Sequence, residues 1–385
     1  MPVSLRLSCS ATLLALALAA CGGRDPSAPA AGGAGAPDPI EAASEEKVLN
    51  LYIWSDFIAP DVIPAFEKET GIKVNVDFYD SNEVLETKLL VGNSGYDLAV
   101  PSASFFERLI KAGVFRPLDR SLLTGFGNLD PATSARIAVH DPGNAHGVNY
   151  LWGTSGVGYD EAKITARLPD APVDSLRMFW DPAIVSKFAD CGVTVLDAPS
   201  EVVGSVLIHL GLDPNSEKPE DLKAAEDVLM SVRPYVRYVH SSRYIEDLAN
   251  GEVCLSLGWS GDVLQARDRA VDAKNGVSVR YRLPKEGAMT FYDMLAIPAD
   301  AKHPGNAHRF IDYLLRPDVA ARNTNLRRYA NSNLASRELI EPALRADPSI
   351  FPPPEAESRL RPDLAESPAF TRLLTRSWTR FKTGQ

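Results

Sequence analysis

The stretch that decides the fold is residues 48–78, VLNLYIWSDFIAPDVIPAFEKETGIKVNVDF. It begins with a mostly apolar run, Val48 to Trp54, which predicts a buried β-strand. Residues Ala59 to Thr70 place apolar side chains at helical spacing, and Gly71 is typical of the residue that ends a helix. Alternation of apolar and polar residues from Ile72 to Phe78 predicts a second strand. Strand, helix and strand in this order form a βαβ unit and indicate an α/β protein.

Further strands and helices alternate along the rest of the chain. We predict strands at 96–100, 193–196, 253–257 and 291–297, and helices at 81–90 and about 201–210. Ser104 and Glu107 have the spacing of a capping box, which predicts the start of a helix that ends at Gly113. The order of the elements predicts two α/β lobes, one formed by 48–149 and 274–340 and the other by 150–273 and 341–385. We place the hinge in extended segments near Asn149 and near Val271 to Val277.

Two of the predicted strands run into the same three residue types. The first strand leads into Trp54, Ser55 and Asp56, and strand 253–257 leads into the run WSGD, which contains Trp259 and Asp262. Taken singly, such a tryptophan is more often a core residue and such an aspartate more often a turn or cap residue. An indole face attracts cations and a carboxylate neutralises them, so the repetition favours a site for a cationic ligand with apolar parts.

The position of these residues in the predicted strands also indicates where the site lies. In open α/β sheets, ligands bind outside the carboxyl ends of the strands. Trp54 follows the first strand, and Ser102 follows the strand at 96–100. We therefore expect both side chains at one edge of the sheet.

Residues 1–47 have the pattern of an export signal and a tether. Arg6 precedes the apolar stretch 11–20, which is too short to span a bilayer, and Cys21 follows in the run LAACG. This run resembles a bacterial lipobox, so we predict a signal peptide over 1–20, a lipid on Cys21 and a flexible tether over 21–47. The alternative is an ordinary secretory signal with an incidental cysteine.

Charge and cysteine content narrow the possible partners and the compartment. The chain of 385 residues carries 50 Asp and Glu against 40 Lys and Arg, which argues against nucleic acid and is compatible with a small cation. Cys9 leaves with the signal and Cys21 takes the lipid, so Cys191 and Cys254 remain as a pair in an oxidising compartment. We predict that they form a disulfide; the alternative is two buried free thiols.

Several segments across the body carry a family resemblance: 54–60 (WSDFIAP), 66–74 (FEKETGIKV), 80–86 (DSNEVLE), 100–105 (VPSASF), 196–199 (LDAP), 247–251 (DLANG), 284–289 (PKEGAM) and 313–319 (YLLRPDV). They resemble the periplasmic putrescine-binding proteins of ABC importers. The resemblance implies a type II solute-binding protein with two α/β lobes joined by a hinge. Such lobes close over the ligand and dock on an inner-membrane permease. We expect a periplasmic monomer, held at a membrane only by its lipid, with no cofactor.

The resemblance also implies an aromatic box around the methylene chain of the ligand. Trp54 and Trp259 match its flanking walls, and Phe291 and Tyr329 match the residues that complete it. Phe57 stands where the putrescine binders have a tyrosine, so one hydroxyl is missing from the mouth of the pocket. Relatives that prefer spermidine tend to carry a tryptophan at the position of Phe291, so the phenylalanine favours putrescine, with spermidine or another diamine as the alternative.

The charged and polar ligand contacts follow from the same resemblance. Asp293 matches the acid that holds one ammonium group, while Asp262 and Glu201 match acids that serve the other end. The residues that match the remaining polar lining are Ser55, Asp56, Ser102 and Ser241. The matching cysteines of the family are disulfide-bonded, in agreement with the argument from the compartment.

Two other functions are weighed against transport. Asp262 with Asp293 or Glu201 could form the carboxylate pair of a glycosidase, but no motif of a hydrolase or nucleotide-binding enzyme is present. The histidines show no metal-ligand spacing, so we expect neither an enzyme nor a metal site. A lipoprotein that presents a polyamine to a sensor remains the alternative to one that feeds an importer.

Overall fold

The computed structural model describes residues 45–385, and this part of the chain contains eleven β-strands. The strands are β1 (Val48–Trp54), β2 (Lys73–Tyr79), β3 (Leu98–Ala99), β4 (Gly147–Asp160), β5 (Val193–Val195), β6 (Val236–Val239), β7 (Leu255–Trp259), β8 (Val279–Arg282), β9 (Ala288–Ala296), β10 (Ala330–Asn331) and β11 (Leu360–Pro362). The predicted signal peptide, the lipidated Cys21 and most of the predicted tether lie outside the described residues.

Sixteen α-helices lie between and after these strands in the described part of the chain. They are α1 (Val62–Thr70), α2 (Asn82–Leu90), α3 (Ala103–Lys111), α4 (Pro131–Ile137), α5 (Glu161–Arg167), α6 (Arg177–Trp180), α7 (Pro182–Val185), α8 (Pro199–His209), α9 (Pro219–Val232), α10 (Arg243–Ala249), α11 (Ser260–Ala273), α12 (Pro304–Leu314), α13 (Pro317–Arg327), α14 (Pro342–Arg345), α15 (Pro354–Glu357) and α16 (Pro368–Thr383). Between residues 45 and 385, no helix has the length and apolar character needed to cross a membrane.

The predicted βαβ unit is present. Strands β1 and β2 pair in parallel from Val48 opposite Lys73 to Trp54 opposite Tyr79, and α1 ends at Gly71, whose φ is 71°. The helix begins at Val62, later than predicted, because Ala59 precedes a proline and its N–H donates to the Asn323 side chain (2.9 Å). This contact keeps residues 59–61 out of the helix.

The sheet has two halves that share strand β4. The strand order is β2-β1-β3-β9-β4-β7-β5-β6; β4 pairs with β9 up to Thr154, and from Ser155 onward it pairs with β7. The pairing of β4 with β9 is irregular between Asn149 and Trp152, next to the first predicted hinge. The return to the first half lies between β8 and β9, later than Val271 to Val277, because β8 pairs with β4 in the second half. The lobe boundaries themselves stay a prediction.

The predicted capping box is wrong. The N-cap of α3 is Ser102, and Ser104 lies inside the first turn, where its hydroxyl donates to the Asp363 carboxylate (2.5 Å). Glu107 accepts from Lys111 (2.6 Å) and contacts His140 (3.0 Å). Ser104 and Glu107 therefore bind other side chains and do not cap the free backbone N–H groups at the start of the helix.

The disulfide prediction is confirmed. Cys191 and Cys254 are bonded, with their Cα atoms 5.5 Å apart. Each cysteine lies just before a strand, and these strands, β5 and β7, are parallel neighbours with Val193 opposite Leu255. The bond therefore joins the starts of two adjacent strands in the second half of the sheet.

Candidate functional site

The two tryptophan motifs meet at the carboxyl edge of the sheet. Trp54 is the last residue of β1 and Trp259 the last residue of β7, and these strands belong to different halves. Their ring centroids lie 5.6 Å apart in an edge-to-face arrangement. Each indole N–H is held by an acceptor: Trp54 donates to the Val100 carbonyl (3.0 Å) and Trp259 to the Glu201 carboxylate (3.0 Å). Both rings are therefore fixed where the halves face each other.

A cavity lies at this junction. Every ligand-binding residue predicted from the sequence lines it except Asp56, and three further residues join them. The lining residues are Trp54, Ser55, Phe57, Tyr79, Ser102, Glu201, Ser241, Ser242, Ile245, Trp259, Asp262, Phe291, Asp293 and Tyr329.

Aromatic rings form a continuous wall around the cavity. Phe291 lies 6.1 Å from Trp259 and 5.9 Å from Tyr329, measured between ring centroids. Phe57 packs edge-on against Tyr329 at 5.1 Å, on the side of the predicted missing hydroxyl. Edge-to-face contacts of this kind leave ring faces available for an apolar or cationic guest.

Tyr329 reaches the cavity because the second motif contains a glycine. A Cβ at Gly261 would lie 2.5 Å from the Tyr329 ring, so only glycine leaves room for it. The Tyr329 hydroxyl then donates to the Asp262 carboxylate (2.6 Å), which also accepts from the Tyr244 hydroxyl (2.9 Å). The WSGD run thus supplies one wall, one acid and the space for an aromatic residue distant in sequence.

Asp293 is the least exposed of the three acids in the site. It lies within β9 and is 2% exposed, and its carboxylate accepts from the Ser102 hydroxyl (2.6 Å). Burial raises the pKa of Asp293 well above its usual range; the Ser102 hydrogen bond lowers it, and the nearby charges of Glu201 and Asp262 raise it further. An empty site therefore disfavours the charged form of Asp293.

Glu201 and Asp262 lie in the first turns of helices α8 and α11. Burial raises the pKa of each to about 7, partly offset by hydrogen bonds from Ser155 and Trp259 to Glu201 and from two tyrosines to Asp262. No lysine, arginine or histidine is among the described lining residues. Three buried carboxyl groups without a basic partner form a site suited to an added cation.

Asp56 is not brought into the cavity. Its backbone has a left-handed φ of 53°, and its carboxylate contacts Arg269 (3.0 Å) and Arg327 (3.6 Å). The two guanidinium groups hold the Asp56 carboxylate at the surface beside the cavity. A neighbour in sequence of Trp54 and Ser55 therefore points to different partners.

The sequence reasoning missed Tyr79, Ser242 and Ile245. Tyr79 pairs with Trp54 in the β1–β2 register and packs against its ring at 4.6 Å, so its place follows from the predicted parallel strands. Ser242 is the N-cap residue of α10, and Ile245 lies in its first turn. No residue pattern in this region distinguishes them from an ordinary helix start.

Between residues 45 and 385, no three His, Cys, Asp or Glu side chains are grouped so that they could hold a metal ion. The carboxyl groups of the cavity approach it from separate elements, and each already accepts hydrogen bonds from hydroxyl or indole donors.

The known proteins similar to this chain are bacterial solute-binding proteins. The model of the bacterial extracellular solute-binding protein family matches residues 61–352. The putrescine-binding periplasmic protein PotF of Escherichia coli is 50% identical over 345 residues, which cover 89% of this chain and 93% of that protein. The putrescine-binding periplasmic protein SpuD of Pseudomonas aeruginosa is 48% identical over 347 residues, covering 89% and 94%.

A solved structure shares the fold over almost the same range. The spermidine/putrescine ABC transporter substrate-binding protein PotD of Streptococcus pneumoniae superposes with a TM-score of 0.71 at 27% identity, and the match covers 88% of this chain and 99% of that one. The family match, the two close relatives and the shared two-half sheet agree. The chain belongs to the bacterial extracellular solute-binding proteins, with the type II α/β fold of the periplasmic polyamine-binding branch.

Proposed function

We propose that this protein captures putrescine in the cavity between the two sheet halves and delivers it to the permease of an ABC importer. The observation that carries the proposal is the cavity itself: three buried carboxyl groups inside an aromatic wall, with no basic residue among the described lining. Its relatives PotF and SpuD are named as putrescine-binding proteins.

The chemistry of putrescine matches each part of this lining. Alkyl amines have pKa values near 10, so both ends of putrescine are ammonium groups at neutral pH. Desolvating two charges requires carboxylates and hydrogen-bond acceptors at both ends, roles that we assign to Asp293 at one end and to Glu201 and Asp262 at the other. The four methylene groups between them require apolar walls, which the rings of Trp54 and Trp259 provide.

The test is calorimetric titration of the protein without its predicted signal peptide and tether, residues 48–385, with putrescine, cadaverine, agmatine, spermidine and spermine. We expect putrescine to bind with a dissociation constant in the micromolar range or below, and Asp293→Asn to weaken it strongly. The matched control is Asp272→Asn, because Asp272 is an exposed acid near the end of α11 and lies outside the cavity. No binding of any of the amines by the wild type would contradict the proposal.

The same titration decides the preference among amines. Putrescine and spermidine differ by an aminopropyl group, so a longer ligand needs additional space and a third charge partner. We expect putrescine to bind at least as tightly as spermidine. Tighter binding of spermidine would replace putrescine by the triamine as the transported substrate.

The anchoring and the partner complete the proposal. We propose that the protein acts in the periplasm as a monomer, held at the membrane by lipid on Cys21. Cys21→Ser should move the protein from the membrane fraction to the soluble fraction without changing putrescine affinity. Loss of putrescine uptake on deletion of the protein would support transport, whereas unchanged uptake would favour the sensor role.

A further inference from the structure

Asn82 lies directly behind Ser102 and outside the ligand cavity. It is the first residue of α2, is 9% exposed, and does not line the cavity. Its side chain nevertheless makes two hydrogen bonds to one residue. The amide Nδ2 donates to the Ser102 hydroxyl (3.0 Å), and the Oδ1 accepts from the Ser102 backbone N–H (3.1 Å).

These two contacts fix which way the amide points. A backbone N–H only donates, so the Asn82 atom facing it must be the oxygen, and the NH₂ group must then face the Ser102 hydroxyl. The hydroxyl has one proton to give and here accepts from Asn82. Its proton is therefore directed at its other partner, the Asp293 carboxylate, 2.6 Å away.

The backbone around Asp293 holds this arrangement in place. Ser102 and Asp293 form an isolated antiparallel bridge, and the Met294 N–H donates to the Pro101 carbonyl (2.8 Å). On the other side, the Asn149 side chain donates to the Asp293 carbonyl (3.1 Å). Backbone hydrogen bonds thus position Asp293. Asn82 sets the direction of the hydrogen bond between Ser102 and the Asp293 side chain, so that Ser102 is the donor.

We propose that Asn82 is a positioning residue of the ligand site: through Ser102 it keeps a hydrogen-bond donor aimed at Asp293, which favours the charged carboxylate that grips an ammonium group. The inference rests on the proposed function, because it assigns Asp293 to an amine. Burial opposes the charged form of this carboxylate, and the Ser102 hydrogen bond works in the opposite direction. Without the Asn82 donor, the Ser102 hydroxyl loses the contact that fixes its proton toward Asp293.

The test compares Asn82→Ala with Ser81→Ala in titrations with putrescine. Ser81 is the N-cap of the same helix, and its hydroxyl accepts from the Val84 N–H (3.2 Å), so its loss loosens the helix start without touching Ser102. We expect Asn82→Ala to weaken binding about tenfold, the typical effect of a lost hydrogen bond that supports a charged group. Ser81→Ala should bind within about twofold of the wild type.

A double-mutant cycle shows whether Asn82 acts through Ser102. In a Ser102→Ala background, Asn82→Ala should weaken putrescine binding by less than about twofold, because the hydroxyl that it orients is already gone. If the affinity losses of the two single variants multiply in the double variant, the inference is overturned, because Asn82 would then act by a route other than Ser102. Binding by Asn82→Ala equal to that of the wild type would also overturn it.

The pH profile provides a readout that simple loosening does not change. The pH at which putrescine binding is half-maximal should move upward in Asn82→Ala, which removes the donor to Ser102. It should also move upward in Asn82→Asp, which keeps the acceptor for the Ser102 N–H but replaces the donor by a charged acceptor that competes for the Ser102 proton. It should not move in Ser81→Ala. A wild type that binds, with the same midpoint in all variants, overturns this inference alone; a wild type that does not bind overturns the proposed function as well.

Discussion

Putrescine binding should weaken steeply as the pH falls from about 8 to about 6. The dication pairs with charged carboxylates, whereas burial raises the pKa of both Glu201 and Asp262 to about 7 in the empty site. Below that value the acids hold protons that must leave before the ammonium groups can be neutralised. Binding is therefore linked to proton release, and the apparent affinity rises with pH.

The size of the effect follows from these two pKa values. A group of pKa about 7 reduces the apparent affinity about elevenfold at pH 6 and by only about a tenth at pH 8, a ratio of about 10 for each group. Two such groups predict about a hundredfold weaker binding at pH 6 than at pH 8. Asp293, whose pKa burial also raises, adds to this loss.

The assay is calorimetric titration at several pH values in two buffers of different ionisation enthalpy. The difference between the buffers counts the protons released per putrescine bound, and we expect at least one near neutral pH. Glu201→Gln should reduce the pH effect to about tenfold, because one titrating group is gone. Equal dissociation constants at pH 6 and pH 8, with no dependence on the buffer, would refute the linkage.

Three further outcomes are expected. Because the pKa values of the cavity acids are raised, the folded empty protein binds more protons than the unfolded chain between about pH 4, the usual pKa of a carboxyl, and about pH 7. Its melting temperature should therefore fall as the pH rises through this window, and Glu201→Gln should lessen the fall. A melting temperature independent of pH would contradict this. Replacing both Cys191 and Cys254 by serine should lower the free energy of unfolding by about 4 kcal/mol, measured by urea denaturation, since the bond closes a loop with a sequence separation of 63 residues. Trp259→Ala should weaken putrescine binding about thirtyfold or more by removing a ring face and a donor to Glu201, whereas Trp152→Ala, outside the cavity, should change it little; similar effects of both would argue against the aromatic wall.

Much of the fold was predictable because its signals are local. The apolar run of β1, the helix-ending Gly71 and the alternation of β2 lie within one stretch of the chain, and their parallel pairing matches the prediction. The helix start was less accurate. Ala59 is held by Asn323, a residue far away in sequence that no local pattern identifies.

The candidate site divides in a similar way. The resemblance to a known family supplied most of the lining residues, and the two tryptophan motifs indicated an aromatic and acidic site. The two motifs alone could not separate Asp56, bound by Arg269 and Arg327, from Asp262, which lies in the cavity. Both acids follow a strand and a tryptophan, so their different partners are decided by which arginines or tyrosines the fold brings near.

The sequence by itself determined the βαβ order, the cysteine pair and the residue types of a cation site, because each depends on neighbours along the chain or on the compartment. Only the tertiary structure decided that arginines hold Asp56 outside the cavity, that Ser104 donates to Asp363 instead of capping a helix, and that Asn82 orients Ser102 toward Asp293. It also decided the raised pKa values of the acids. Desolvation and hydrogen-bond direction depend on all the atoms around a group, and these come from segments far apart in the chain.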